Sequence, residues 1–338
     1  MSLVSVSDLS RNHRLRLDQS ALKNRLERLT TEVTSGVKSD IAAALGGDLS
    51  QISHIESRLT LLTTYRQNAS EAEAFLDSMQ TVLEGMQTSA DELGPSLLSE
   101  ASTASDDSLR IRADEVAQRL RSLINAINTD TGGRYHFSGS RTDTPPLQGF
   151  DSVLANLNTA VAGATTSNDI IDRIDDWFDA PVGGGGFADL AYQGDSASTP
   201  ESPVSPDRQV STVLAATAPE LRETLKGMAI MAFAAQSGSS MGTSTLRDMF
   251  SAAGSRLATG SRDLTALRAG LGQRQAAVSQ AQTRNAAETS TLSIARTTLT
   301  SADPFETATA LQEVEIRIQS LYAITARLSR LSLMDYLS

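Results

Sequence analysis

Apolar residues recur in alternating steps of three and four at both ends of the chain, and that order is lost in the middle. Near the N-terminus Leu15, Gln19, Leu22, Leu26, Leu29 and Val33 hold the spacing, with Gln19 as the one polar member. Such a repeat puts the side chains on one face of a helix that packs on a partner helix. Ser35 and Gly36 follow, and glycine at a helix end predicts a stop there. A loop through Gly46 and Gly47 leads to a second helix, capped by Asp48 or Ser50. Its seam runs through Ile52, Ile55, Leu59, Leu62, Tyr65, Ala69, Ala72, Leu76, Met79, Leu83, Met86, Ala90 and Leu93. Two successive steps of three around Leu62 form a stammer, which overwinds a coiled coil locally. Gly94 and Pro95 are expected to end or kink this helix.

A third helix is predicted after Ser105, Asp106 and Asp107, through Leu109, Ile111, Val116, Leu120, Leu123, Ile124 and Ile127, stopping at Thr131 to Gly133. From Thr142 to about Ser244 prolines gather and periodicity is patchy. Ser167 is a candidate cap for a short helix bearing Ile170, Ile171, Ile174, Trp177 and Phe178. Phe187 to Tyr192 and Gln209 to Val213 are strand candidates, and Pro219 opens a helix with Leu221, Leu225, Met228, Ile230 and Met231. Heptad order returns after Leu246 with Leu257, Leu264, Leu267, Leu271, Val278 and Ala281. Arg274, Asn285 and Glu288 occupy seam positions there, and polar seam residues fix register at a cost in stability. After Asp303 and Pro304, a last helix carries Leu311, Val314, Ile318, Leu321, Thr325, Leu328 and Leu331.

The expected fold is mainly α: a long helical hairpin or coiled-coil bundle formed by both chain ends, with a small mixed α/β inserted domain. The expected domains are residues 1–40 with 301–338, residues 41–144 with 245–300, and the insert at 145–244. Each terminal helix buries little surface alone and is expected to depend on neighbouring subunits for cover.

Composition narrows the chemistry. Aromatics make up only 4% of the 338 residues, which suits narrow helix seams built from Leu, Ile, Val, Ala and Met. A net charge of −11 argues against a nucleic-acid partner. With no cysteine there is no disulfide or thiolate chemistry. The first residues lack the apolar core of a cleaved secretion signal, and no apolar run approaches a membrane span. His13, His54 and His136 lie too far apart for a zinc motif, and no nucleophile elbow or phosphate-binding glycine loop is present. Asp169, Asp172, Asp175, Asp176 and Asp179 follow helical rather than calcium-loop spacing and read as a solvated helix face. Arg11, Arg14, Arg16, Lys23, Arg25 and Arg28 make a basic start, expected to pair with Glu306, Glu313 and Glu315 on a neighbouring helix. No catalytic residue, cofactor or metal site is expected.

Both ends resemble the flagellin superfamily. The stretch Leu26 to Gly36, ending in Ser35-Gly36, resembles its N-terminal helix, and Leu328 to Leu337 is similar to the C-terminal signature of its hook–filament junction branch (hook-associated protein 3). The segment Gly132 to Pro146 carries Gly133, Arg134, Tyr135, Phe137, Ser138 and Gly139, similar to the Gly-Arg-Tyr-Leu-Phe motif of that branch, with His136 where Leu is common. Tyr192-Gln193-Gly194-Asp195 also resembles a junction-protein segment. The Asp-Asp pair usual after the Ser-Gly stop is reduced here to Ser39-Asp40.

The resemblance implies a subunit joining hook to filament, exported through the flagellar type III channel without a cleaved signal and located extracellularly. Its partners would be the neighbouring hook-associated protein, flagellin, further copies of itself in a ring, and a dedicated export chaperone, with no nucleic acid and no membrane. Leu15, Leu22, Leu26, Leu29, Val33, Leu311, Val314, Ile318, Leu321, Leu328 and Leu331 would form the polymer interface. Two alternatives stand beside it: a flagellin of the filament itself, and a cytosolic coiled-coil adaptor, for which no motif matches. The Gly133 to Gly139 segment favours the junction branch over flagellin.

Overall fold

A computed structural model describes the backbone of residues 6–197, 200–238 and 241–337, and their side chains except at positions 6–9, 11, 12 and 328–337. Among the described residues ten helices and two small hairpins occur, and the chain divides into two compact units, Met1–Leu61 with Ala287–Ser338, and Leu62–Ala286.

In the first unit, α1 (Val6–Ser35) stops where Gly36 takes a φ of +69°. A short α2 (Ile41–Ala44) forms in the stretch read as loop, because the Asp40 side chain accepts from the Ala43 amide and caps it. α10 (Pro304–Leu337) runs antiparallel to α1. The pair is closed at one end by Lys38 N donating to Thr300 O and Ala302 N donating to Gly36 O.

The second unit is built on most of α3 (Ser50–Thr103) and α9 (Thr243–Thr300), with α4 (Asp106–Ile127) and α8 (Pro219–Ser237) packed together. The predicted seam of α3 is its core: Leu76, Met79, Leu83, Met86 and Ala90 are fully buried. On α9, Leu257, Leu264, Leu271, Val278 and Ala281 are buried in the same cluster. Beside this seam lies a ladder of side-chain bonds from α9 to α3: Gln282 to Glu73, Gln275 to Asp77, Arg268 to Gln80 and Gln87. α3 does not end at Gly94-Pro95 but continues to Thr103. Pro95 lies on an exposed face, where the carbonyl it cannot serve meets water. Helix α9 approaches closely at Gly94: a side chain on Gly254 would stand 2.9 Å from the Gly94 carbonyl.

The middle of the chain is more helical than its pattern suggested. α5 (Phe150–Val161) forms where no element was expected, and α6 (Ser167–Asp179) is capped by Thr166, not Ser167. Phe187 to Tyr192 is not a strand: α7 (Phe187–Leu190) is a single helical turn, folded so that Phe187 stacks on Phe178 and meets the edge of Trp177. β1 (Asp130–Thr131) and β2 (Arg134–Tyr135) form a hairpin whose two-residue turn, Gly132-Gly133, has φ of +62° and +79°. Positive φ at both turn positions suits glycine and matches the twist of the strands. β3 (Glu201–Ser205) pairs with β4 (Arg208–Ser211), irregularly at Pro203 to Ser205. Asn68 of α3 donates to the Pro203 carbonyl, and Asn285 of α9 donates to the Val204 carbonyl. The polar seam residue Asn285 thus satisfies buried hairpin backbone, a second role beside any effect on register.

Candidate assembly site

Two places gather the candidate residues. The first is the helix pair of the terminal unit. The backbone closure at 36–38, and a bond of 3.1 Å from Gln19 Nε2 to Tyr322 Oη, set the register. That register places Leu22 opposite Ile318, Leu26 opposite Val314 and Leu29 opposite Leu311. Val314 is buried, yet Leu15, Leu22, Leu26, Leu29, Leu311, Ile318 and Leu321 remain half-covered and Val33 is exposed. The side chains of Leu328 and Leu331 lie outside the described residues. Two helices have too little facing surface to cover their own seams, and what stays uncovered is apolar.

Pattern reading missed a second set. Leu17 (56% exposed), Phe305 (83%), Ile316 (60%), Tyr322 (47%) and Ile324 (53%) stand in solvent off the seam. The signal was there in large apolar residues at positions a two-helix seam cannot use. Among the described residues the expected pairing of the basic start with Glu306, Glu313 and Glu315 does not form, and Glu313 pairs with Arg317 one turn along its own helix; the side chain of Arg11 lies outside them. Between i and i+4 the partner is already at hand, whereas crossing to α1 costs side-chain entropy.

The second place is built from the motif segment. Phe137, Ser138 and Gly139 are buried, while Gly133 and Arg134 are exposed. His136 is buried with its ring 4.7 Å from that of Phe75, and Arg134 lies over the Phe75 ring. Burial, then the neighbouring Arg134 charge, holds the His136 pKa below its ordinary value. The chain then crosses Tyr192 to Asp195, the other motif segment. Asp195 N donates to Ser138 O, Ser140 N to Asp195 O, Gln193 N to Pro146 O, and Gly139 N to Leu214 O. Ser140 Oγ donates to the Asp195 carboxylate at 2.6 Å, which holds that carboxyl below its usual range. Gly139 has a φ of +63°, and a Cβ there would fall 1.8 Å from the Asp195 carbonyl oxygen. Two stretches some fifty residues apart in sequence therefore form one latch, buried at Ser138 and Gly139 and half-buried at Asp195.

Among the described residues no group of His, Asp and Glu is placed to hold a metal, and no helix is long and apolar enough to cross a membrane. Paired terminal helices leave half-covered apolar seams, and the motif segment is locked internally by backbone bonds. Residues 6–142 match the bacterial flagellin N-terminal helical region and residues 257–337 the bacterial flagellin C-terminal helical region. The chain belongs to the flagellin family, and it is a structural, axial component of the bacterial flagellum, not an enzyme.

Solved structures align with the chain over about three-quarters of its length. The flagellar hook-associated protein 3 of Legionella pneumophila aligns at 11% identity and a TM-score of 0.50, over 73% of this chain and 98% of that one. FlgL of Bacillus cereus aligns at 16% identity and a TM-score of 0.44, over 75% of this chain and 100% of that one. No curated protein sequence matches the chain.

Proposed function

We propose that this chain is the junction subunit that joins the flagellar hook to the filament. The observation that carries the reading is the latch. The two segments that resemble the junction branch, Gly133 to Gly139 and Tyr192 to Asp195, bond to each other directly. A branch-specific pair of segments that close on one another supports one inherited structural unit rather than two chance likenesses. The seam residues Leu15, Leu22, Leu26, Leu29, Val33, Leu311, Val314, Ile318 and Leu321, of which Val314 is already buried, continued by Leu328 and Leu331, are then the polymer contacts. Residues 1–40 with 301–338 form the polymerising domain in this reading, 41–144 with 245–300 the long-helix domain, and 145–244 the insert. The hook-associated protein and flagellin lie on either side, and further copies complete a ring. An export chaperone covers the apolar face of α10 before assembly, since that face is an aggregation hazard in a monomer.

A junction is needed once, at one place, whereas a filament subunit repeats against itself indefinitely through open heterologous contacts. Cells lacking the chain should build hooks and release flagellin into the medium. Labelled chain should mark a short band at the distal end of the hook. Label along the whole filament would make this chain a flagellin instead. Removal of Leu311 to Ser338 should abolish incorporation, and normal assembly of that truncation would overturn the interface.

A further inference from the structure

The five aspartates of α6 are not one solvated face. Asp169 pairs with Arg173, Asp175 with Arg256 of α9, and Asp179 with Arg222 and Lys226 of α8. Asp172 and Asp176 remain, one turn apart, exposed, and without an ion pair among the described residues. The arginines show the converse. Arg208 of β4 and Arg274 of α9 line one cleft of about 580 Å³ with Gln209, Ser211 and Gln273. Neither makes an ion pair among the described residues, and Nη1 of Arg274 is buried with no hydrogen-bond partner. Glu201 lies on the same wall, exposed and bonded to neither guanidinium. A buried guanidinium nitrogen without an acceptor is costly, and a carboxylate is the acceptor that fits its geometry.

The free carboxylates cannot reach the free guanidinium groups within one chain. The Asp175–Arg256 pair pins α6 beside residue 256 of α9. Arg274 lies eighteen residues further along the same helix, about 27 Å away at the helical rise. Two unlike, complementary patches set far apart along α9, one carried by α6 and the other shared by β4 and α9, are the parts of a heterologous contact, the kind that closes into rings. We propose that the Arg208–Arg274 cleft receives the Asp172–Asp176 face of α6 from a second copy of this chain. The proposal rests on the reading that copies assemble side by side in a ring.

The absence of native cysteine makes a clean test. Flagella carrying the chain with Asp172→Cys and Gln273→Cys keep Asp176 and both arginines. On mild oxidation they should yield dimers and higher oligomers on non-reducing gels, and either single substitution no higher oligomers. A labelled band at the hook without such products overturns the cleft contact and leaves the junction reading intact, whereas label along the filament, or none in flagella, overturns that reading. As an independent arm, Arg208→Glu with Arg274→Glu, and separately Asp172→Lys with Asp176→Lys, should each lower the fraction of cells retaining filaments about tenfold. All four substitutions together should restore retention, because the charges again oppose. A fourfold variant with native circular dichroism that fails to restore retention overturns the proposal.

Discussion

Gly139→Ala tests the latch most directly. The backbone there sits at φ +63°, which costs a residue with a Cβ about 1–2 kcal/mol. The added methyl would stand 1.8 Å from Asp195 O and 2.8 Å from Asp195 C, so the two strands must part. Parting them stretches Ser140 N to Asp195 O (3.0 Å) and Asp195 N to Ser138 O (2.9 Å). Losing two half-buried bonds adds about 1–3 kcal/mol, for a total of about 2–5 kcal/mol. Gly133→Ala is the matched control: its φ is +79°, but nothing lies within 4 Å of the new methyl, leaving only the conformational cost of about 1–2 kcal/mol. The single tryptophan, Trp177, is buried against Phe178 and Phe187 in the same compact unit, so its emission in urea follows that unit alone. Amide exchange at Ser140 and Asp195 should accelerate in Gly139→Ala and stay slow in the control. If the two variants unfold within about 1 kcal/mol of each other, the latch does not carry the stability assigned to it.

Three further outcomes follow from the same geometry. Lys226, with its side chain only 4% exposed, holds Asp179 at 2.6 Å and Glu223 at 2.9 Å. Lys226→Met should cost about 1–3 kcal/mol in the tryptophan-monitored transition by taking the ammonium from Glu223, while Asp179 keeps Arg222, and a stabilised variant would show that burial outweighs pairing there. His136 has a folded pKa below its ordinary 6.5, so the unfolded chain takes up the proton first as pH falls. Stability present above that value should drain away as pH drops through the lowered folded one, making the urea midpoint fall between about pH 7.5 and about pH 5.5 by more than in His136→Gln. An equal fall in both would place the acid sensitivity elsewhere. Val314, 1% exposed opposite Leu26, should cost about 1–2 kcal/mol of terminal-helix stability on substitution by Ala, seen as faster amide exchange across α10. Unchanged exchange would mean that the α1–α10 seam is not closed there.

The long helices were legible without coordinates because their signal is local and repeated. Apolar residues return to one face along α3 and α9, broken on α9 at polar seam positions such as Arg274, so the seam from Leu76 to Met86 and that from Leu257 to Ala281 could be read directly. Helix starts and stops marked by Asp, Pro or Gly, such as Gly36 and Pro219, were equally plain. The middle was not, since its elements owe their state to long-range contacts. Phe187 to Leu190 lies in a stretch predicted as strand, but Ala188 and Leu190 are helix formers and Phe187 packs against Trp177 and Phe178 as the first residue of a helical turn. Pro95 looked like a terminator until the burial of Leu93 and Leu97 on either side held the helix through it. The motif residues could be singled out by likeness, but only the fold revealed that Gly139 must be glycine because Asp195 passes over it. Which of the five α6 aspartates stay free was also beyond pattern, since the answer lies in the arginines and lysine that α8 and α9 bring to them. Periodicity specifies which face of a helix is apolar. Which surface covers that face, and which charges are left without a partner, depends on the three-dimensional arrangement of residues far apart in the chain.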